Sequence, residues 1–258
     1  MYKFDEKKVV EDLVKWLKDW FLENGKDCNA IIGISGGKDS TVCASLCVKA
    51  LGKDRVIGVL LPNGEQPDIN DSIKVCEILG IKKIIVNIKD VVDKEINIIE
   101  DNIKTPLTEQ SLINIPARIR MTTLYGISQS MNGRVINTCN LSEDWVGYST
   151  RYGDAAGDVS PLANLTVTEV RKIGIELDLP EDLVYKTPSD GLCGKTDEDN
   201  LGFTYETLDK YIRTGICEDK KIKNLIDERH KKNKFKLEPM PFYKHGVVKI
   251  NNKETREI

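Results

Sequence analysis

The chain holds 258 residues, with 38 Lys and Arg against 41 Asp and Glu, for a net charge of -3. A composition of 40% hydrophobic and 31% charged residues is too apolar and too nearly neutral for a disordered chain. The length suits one large α/β domain, and the mild acidity argues against a dedicated nucleic-acid partner, which a basic excess would announce.

The elements alternate from the start. Val9, Val10, Leu13, Val14, Leu17 and Phe21 fall at helical spacing within residues 6–23, and Asn24-Gly25 ends that helix. Ala30–Ile34 is a short β-branched run and reads as a buried strand. A helix over Thr41–Leu51 closes at Gly52, a second strand over Arg55–Leu61 at Pro62-Asn-Gly64, and a helix over Pro67–Leu79 at Gly80. A third strand at Lys83–Ile88 and a helix near 90–103 follow. Asn114 is expected to cap a long helix with Pro116 in its first turn, ending near Met131 before a fourth strand, Arg134–Thr138. This alternation predicts a doubly wound parallel sheet covered by helices on both faces, in a Rossmann-like α/β single domain spanning 1–258.

Beyond Thr138 the pattern changes. Residues 139–165 carry Gly147, Gly153 and Gly157 among polar side chains and read as a long functional loop with a short helix. Helices are expected at 166–177, 204–213 and 219–232, and the tail from about 234 to 258 has no clear period. Seven scattered cysteines without a CxxC pair suit reduced thiols in a cytoplasmic protein, and argue against a disulfide framework or a Cys-type zinc site. Only two histidines occur, so a His-rich metal centre is not expected. The longest apolar run, residues 56–61, falls far below the ~20 residues of a spanning helix, and the N-terminus has no signal-peptide core, so no membrane is expected.

The most informative segment is Gly33-Ile-Ser-Gly-Gly-Lys-Asp-Ser40, between the first strand and the second helix. Its backbone N–H groups lie at the positive end of a helix, where phosphate binds. Gly36 and Gly37 let the backbone approach an anion, and Ser35 and Ser40 offer hydroxyls. Asp39 would repel phosphate by itself, so a carboxylate there makes sense as a magnesium ligand. The spacing is neither that of a Walker A loop nor that of the dinucleotide fingerprint. The alternative is a Gly-rich turn that binds nothing.

Ser35-Gly-Gly-Lys-Asp-Ser40 resembles the pyrophosphate-binding loop of the ATP pyrophosphatase superfamily. The resemblance implies cleavage of ATP between its α and β phosphates, with Gly33, Ser35, Gly36, Gly37, Lys38, Asp39 and Ser40 as ATP-binding positions. Within that superfamily, Asn114-Ile-Pro-Ala-Arg-Ile-Arg-Met121, Thr138-Cys-Asn-Leu-Ser-Glu143, Gly147-Tyr-Ser-Thr-Arg-Tyr-Gly-Asp154 and Lys186-Thr-Pro-Ser-Asp-Gly-Leu192 resemble the signature blocks of the ammonia-dependent NAD synthetases. Their order and spacing agree from about residue 6 to 232.

This resemblance implies amidation of deamido-NAD by ammonia through an acyl-adenylate, giving NAD, AMP and pyrophosphate, in a homodimer. Free ammonia is the expected nitrogen source, because no nitrilase-like glutaminase domain accompanies the chain. It also implies a magnesium site at Asp39 and Glu143, and further ATP contacts at Thr138 and Ser189. Taken alone, Glu143 reads more often as a solvated surface acid, and Thr138 as a strand-end residue that caps the next turn. Arg118, Arg151, Asp158, His230 and Lys231 occupy positions that hold the dinucleotide, the last two reaching from a partner subunit. Arg118 and Arg120 are placed in the first turns of a helix, where a cation opposes the dipole and hints at a use; Arg120 points elsewhere and reads as structural.

Asp154 is the candidate for orienting or deprotonating ammonium near the nicotinate carbonyl. Read without a ligand, it is a loop Asp before a turn. One departure stands out. Relatives carry a lysine against ATP phosphate after the Leu-Thr pair, and here that position is Val167. Lys172, Lys186 or Lys195 supplies that charge, or the transition state is stabilised in another way. The competing functional readings are an amidating relative of the GMP-synthetase kind and a non-catalytic ATP or AMP sensor.

Overall fold

A computed structural model describes residues 2–186 and 197–243. Four parallel strands, β1 (Asn29–Gly33), β2 (Val56–Leu60), β3 (Lys82–Ile85) and β4 (Gly133–Ile136), form a sheet in the order β3-β2-β1-β4. The chain leaves β1 first in one direction and then in the other, so β1 and β4 flank the point where strand order reverses. In such sheets the crevice beyond the strands' C-terminal ends binds ligands.

The pleat sorts each strand's residues onto two faces. Ala30 and Ile32 of β1, Val56 and Leu60 of β2 and Ile136 of β4 face a core made with α1 (Glu6–Asn24), α2 (Lys38–Leu51), α3 (Ile69–Ile78), α7 (Val167–Glu176) and α8 (Glu181–Val184). Ile31, Ile57, Val59 and Val135 face the other core, built with α4 (Lys89–Ile103) and α5 (Glu109–Ser130). Both faces are therefore helix-covered, as the near-continuous apolar strands require. Leu17 and Phe21 of α1 are fully buried, each contributing about 1.5–3 kcal/mol of burial.

A third cluster lies outside the sheet. Val146, Val167, Leu201, Phe203, Tyr205, Leu208 and Ile226 join α6 (Leu141–Trp145) to α9 (Asp197–Leu201), α10 (Tyr205–Thr214) and α11 (Lys220–Asn233). The small helices α8 and α9 were not foreseen in the sequence. Among the described residues no helix is long and apolar enough to cross a membrane.

Two expectations are corrected. Helix α5 begins at Glu109 rather than near Asn114, and Thr108 caps it by accepting the Ser111 N–H. Pro116 therefore lies inside the helix, whose buried Ile115, Met121 and Leu124 hold it together across the lost backbone bond. Strand β4 stops at Ile136, so Thr138 stands two residues past the strand, in the turn that leads to α6.

Candidate active site

The turn between β1 and α2 takes the expected form. Gly36 has φ +78, and a Cβ there would stand 2.8 Å from the Ser72 backbone nitrogen and 2.9 Å from Asp71 Cβ. Only glycine suits that backbone and that approach. Gly37 is the N-cap of α2 and provides no side-chain cap, so the first N–H groups of a 14-residue helix face outward. Ser35 Oγ accepts the Gly37 N–H at 3.2 Å and lies 3.2 Å from Ser40 Oγ, while Ser40 Oγ donates to Gly37 O at 3.2 Å. These bonds shape a nest of N–H and hydroxyl donors continuous with Gly33 at the end of β1.

Lys38 is not a free phosphate-reaching cation. It is 3% exposed, with Nζ 2.8 Å from Asp39 Oδ2 and 3.5 Å from Glu143 Oε1. Burial by itself would lower its pKa, but the two carboxylates hold it above the usual lysine value. Glu143 sits in the first turn of α6, whose N-cap Asn140 accepts the Glu143 N–H at 3.1 Å. The same Asn140 donates from Nδ2 to Asp39 Oδ1 at 3.0 Å. One fully buried amide thus ties the carboxylates of two elements together.

Burial first, then the neighbouring charge of Asp39, push Glu143 up to about 8 against the lowering influence of Lys38. A pair of crowded carboxylates with a single cation is short of positive charge. Among the described residues no group of three or more His, Cys, Asp or Glu side chains is placed to hold a metal ion by itself. The donor set fits a magnesium ion, which binds through one or two carboxylates and completes its shell with water and phosphate.

A second group of residues gathers above α5. Arg118 lies in the middle of that helix, not in its first turns, so the opposed-dipole argument fails for it and for Arg120. Arg118 Nε donates to Arg151 O at 3.4 Å, and Arg120 Nε to Leu61 O at 3.0 Å, a structural use. The Arg151 guanidinium lies over the rings of Tyr152 and Phe235 at 5.2 and 5.4 Å. Asp158 accepts the Val135 N–H at 2.7 Å and the Tyr125 hydroxyl at 3.3 Å, which commits one oxygen to the β4 edge.

Asp154 accepts the Thr150 N–H at 2.9 Å, and its own carbonyl accepts from Asn137 Nδ2 at 2.7 Å. Its surface is open to solvent on one side while protein crowds it on the others. That crowding raises its carboxyl pKa despite the hydrogen bonds from Thr150. Cys139 Sγ, one residue before Asn140, contacts the Asp154 carbonyl at 3.3 Å and so joins this group to the carboxylate pair.

The C-terminal end of α11 closes over the same loop. His230 stacks on Trp145 at 4.0 Å and bonds through Nδ1 with the Trp145 carbonyl at 2.9 Å. The described His230 is thus engaged by its own chain, while Lys231 is exposed. Gly147, at φ +71, leaves room for the Asn233 side chain, which a Cβ would overlap. Lys236 Nζ donates to Gly147 O at 2.8 Å and Ser149 O at 3.1 Å.

Of the lysines expected to replace the charge missing at Val167, Lys186 is held by Asp68 and Asp71 at 2.6 and 2.5 Å, and Lys172 lies over the Phe4 ring at 5.9 Å. Lys186 is thus committed to two acids, whereas Lys172 is exposed beside the N-terminal segment. Ser189 and Lys195 lie outside the described residues. Asn140 joins the site unannounced, although Asn140 and Glu143 show the spacing of a helix cap and its third residue. For Arg171 no local signal exists.

A doubly wound parallel sheet with a donor-lined turn and paired carboxylates at its switch point defines a nucleotide-binding α/β protein. The NAD synthase family model matches residues 9–240, and the chain belongs to that family. It is 42% identical to the NH(3)-dependent NAD(+) synthetase of Pyrococcus furiosus, over 82% of this chain and 79% of that one. It is 36% identical to the NH(3)-dependent NAD(+) synthetase of Methanocaldococcus jannaschii, over 95% of each. Among solved structures, the NMN synthetase of Francisella tularensis superposes with a TM-score of 0.85 at 32% identity, over 94% of this chain and 100% of that one. The NH3-dependent NAD synthetase of Campylobacter jejuni, solved with a nitrate ion, does so with a TM-score of 0.75 at 30% identity and the same coverage.

Proposed function

We propose that the protein is a C–N ligase that amidates deamido-NAD with ammonia at the expense of ATP. The observation that carries this reading is the Asp39–Lys38–Glu143 contact beside the outward N–H groups of α2. That arrangement suits a nucleotide triphosphate and a divalent ion, and little else at this position would need it.

A carboxylate resists attack by ammonia because oxide is a poor leaving group. Adenylation replaces it with AMP and divides one difficult step into two. A nicotinate carboxylate oxygen bonds to the α-phosphorus, and the bond from that phosphorus to the bridging oxygen of pyrophosphate breaks. The N–H groups at Gly36, Gly37 and Lys38 and the hydroxyls of Ser35 and Ser40 hold the departing pyrophosphate, whose charge grows as the bond breaks. Asp39 and Glu143 hold magnesium, which supplies charge neutralisation on the phosphates when bound. Lys38 keeps the two carboxylates from repelling each other, and Thr138 and Ser189 are proposed as further nucleotide contacts.

Ammonia then forms a bond to the acyl carbon, the bond from that carbon to the AMP oxygen breaks, and one proton leaves the nitrogen. Asp154 gathers ammonium and accepts the proton whose loss frees ammonia for attack, while the proton released as the C–N bond forms passes to the departing AMP phosphate or to water. Arg118, Arg151, Asp158, His230 and Lys231 hold the dinucleotide. The same reading includes a homodimer: Ile98, Ile103, Leu112 and Ile113 of α4 and α5 are exposed and offer an apolar face for a second copy. The free thiols of six described cysteines support a reducing, cytoplasmic setting.

Incubation with deamido-NAD, MgATP and ammonium is expected to yield NAD and AMP in equal amounts. Release of AMP without NAD, or neither product, overturns the assignment. The high similarity to an NMN synthetase favours one second reading, in which the amidated acid is the mononucleotide. Comparing kcat/KM for nicotinate mononucleotide with that for deamido-NAD decides between the two.

A further inference from the structure

Helix α7 brings a second cation to the phosphate turn. Arg171 lies one turn beyond Val167, and side chains at that spacing share a helix face. Val167 itself is fully buried among Tyr205, Leu201 and Leu208, and Lys38 Nζ stands 5.9 Å from the centre of that Tyr205 ring. Arg171 also lies over the ring of Tyr185, whose neighbour Lys186 is bonded to Asp71, the residue packed against Gly36 of the turn. Both paths lead from Arg171 to the turn where α2 begins.

The cations differ in their surroundings. Lys38 has Asp39 and Glu143, Lys186 has Asp68 and Asp71, and Arg213 has Glu169. Arg171 has no carboxylate among the described residues, only the Tyr185 ring at 5.9 Å. Its Nε is buried with no hydrogen-bond partner among the described residues. Leaving a buried guanidinium N–H unmade is costly, and a fork of donors next to an anion-accepting turn is matched by a phosphate.

We propose that Arg171 binds the outer phosphates of ATP and the pyrophosphate formed from them, taking from the next turn of α7 the position a lysine would fill at 167. This rests on the ATP-dependent reading above. Its effect is confined to the outer phosphates, because the turn it neighbours is the one that holds the departing pyrophosphate.

The test compares wild type, R171Q, R171K and the double variant R171Q/V167K, each first checked for an unchanged thermal unfolding temperature. Titrations use MgATP, AMP and magnesium pyrophosphate. Expected are a loss of MgATP and pyrophosphate affinity of about tenfold or more in R171Q, AMP affinity unchanged, partial recovery in R171K, and recovery in the double variant. In turnover, KM for ATP rises while KM for ammonium does not. Wild-type MgATP affinity in R171Q overturns the proposal, as does an equal loss for AMP, which a merely structural role would give. Should wild type itself bind no MgATP, the ATP reading fails and the proposal with it.

Discussion

Asn140 donates a hydrogen bond to Asp39 across 3.0 Å, although the two residues stand 101 positions apart in the chain. The other end of the same amide caps the helix that carries Glu143. An Asn with both ends engaged holds the paired carboxylates together, and its replacement separates two effects.

Asn140→Ala removes both bonds from a fully buried site and is expected to cost about 1–3 kcal/mol of stability. Asn140→Asp retains the cap but replaces the donor to Asp39 with a further negative charge. It should remain folded while the magnesium concentration for half-maximal turnover rises about 10–100-fold, as for other groups that orient metal ligands. A magnesium titration of activity, together with thermal unfolding, measures both. Chelation of the metal should abolish turnover reversibly in every variant.

Gly36→Ala forces a side chain into φ +78 and against the Ser72 nitrogen. The backbone strain costs about 1–3 kcal/mol, and the turn must shift to relieve the contact. MgATP affinity should fall with it, whereas Gly126→Ala, where a Cβ has open space within the helix, should leave MgATP affinity intact and not lower stability. Calorimetric titration of both variants is the measurement.

Asp154→Asn keeps the size of the side chain and its contact with Thr150 but removes the negative charge. It should lower kcat by about 10²-fold or more with little change in KM for ATP. The raised pKa of Asp154 fixes the sign of the pH effect: the anion is lost on acidification sooner than for an ordinary Asp. The acid limb of the kcat profile should therefore lie above the usual Asp range in wild type and vanish in the variant. A profile unchanged by the substitution would remove Asp154 from the second step.

Glu169 provides a stability test remote from the chemistry. Burial would raise its pKa, but hydrogen bonds from Arg213, Tyr2 and the Thr166 N–H hold it below the ordinary value. A carboxyl depressed on folding stabilises the protein above its unfolded pKa, and that contribution is lost as pH falls through the folded one. Asp144, Asp154 and Asp209, raised by burial, act in the opposite sense, so the difference between wild type and E169Q isolates Glu169. The gap in unfolding temperature should be widest near neutrality and narrow between about pH 5 and pH 3.

Much of the molecule was legible in order along the chain. The β1 strand, the glycine turn and α2 are consecutive, and apolar period, turn chemistry and helix start agree there. The start of α5 was misread because Asn114 and Pro116 imitate a helix beginning, whereas burial of Ile115, Met121 and Leu124 carries the helix through them. Lys38 and Lys186 read as available cations, and in the fold both are held by pairs of acids, Lys38 by Asp39 and the distant Glu143 and Lys186 by the distant Asp68 and Asp71.

The sequence alone determined the parallel α/β sheet, the glycine turn between β1 and α2 and the family, and it pointed to Asp39 and Glu143, since each is written in residues a few positions apart or in blocks of fixed order. Only the tertiary structure decided which charges are neutralised and which are left over: that Asn140 joins the two acids, that Lys186 is bound to Asp68 and Asp71 while Arg171 has no carboxylate among the described residues, and that α11 folds back onto Trp145. Those outcomes depend on burial and on distances between segments a hundred residues apart, and electrostatic energy is set by separation in space rather than by position along the chain.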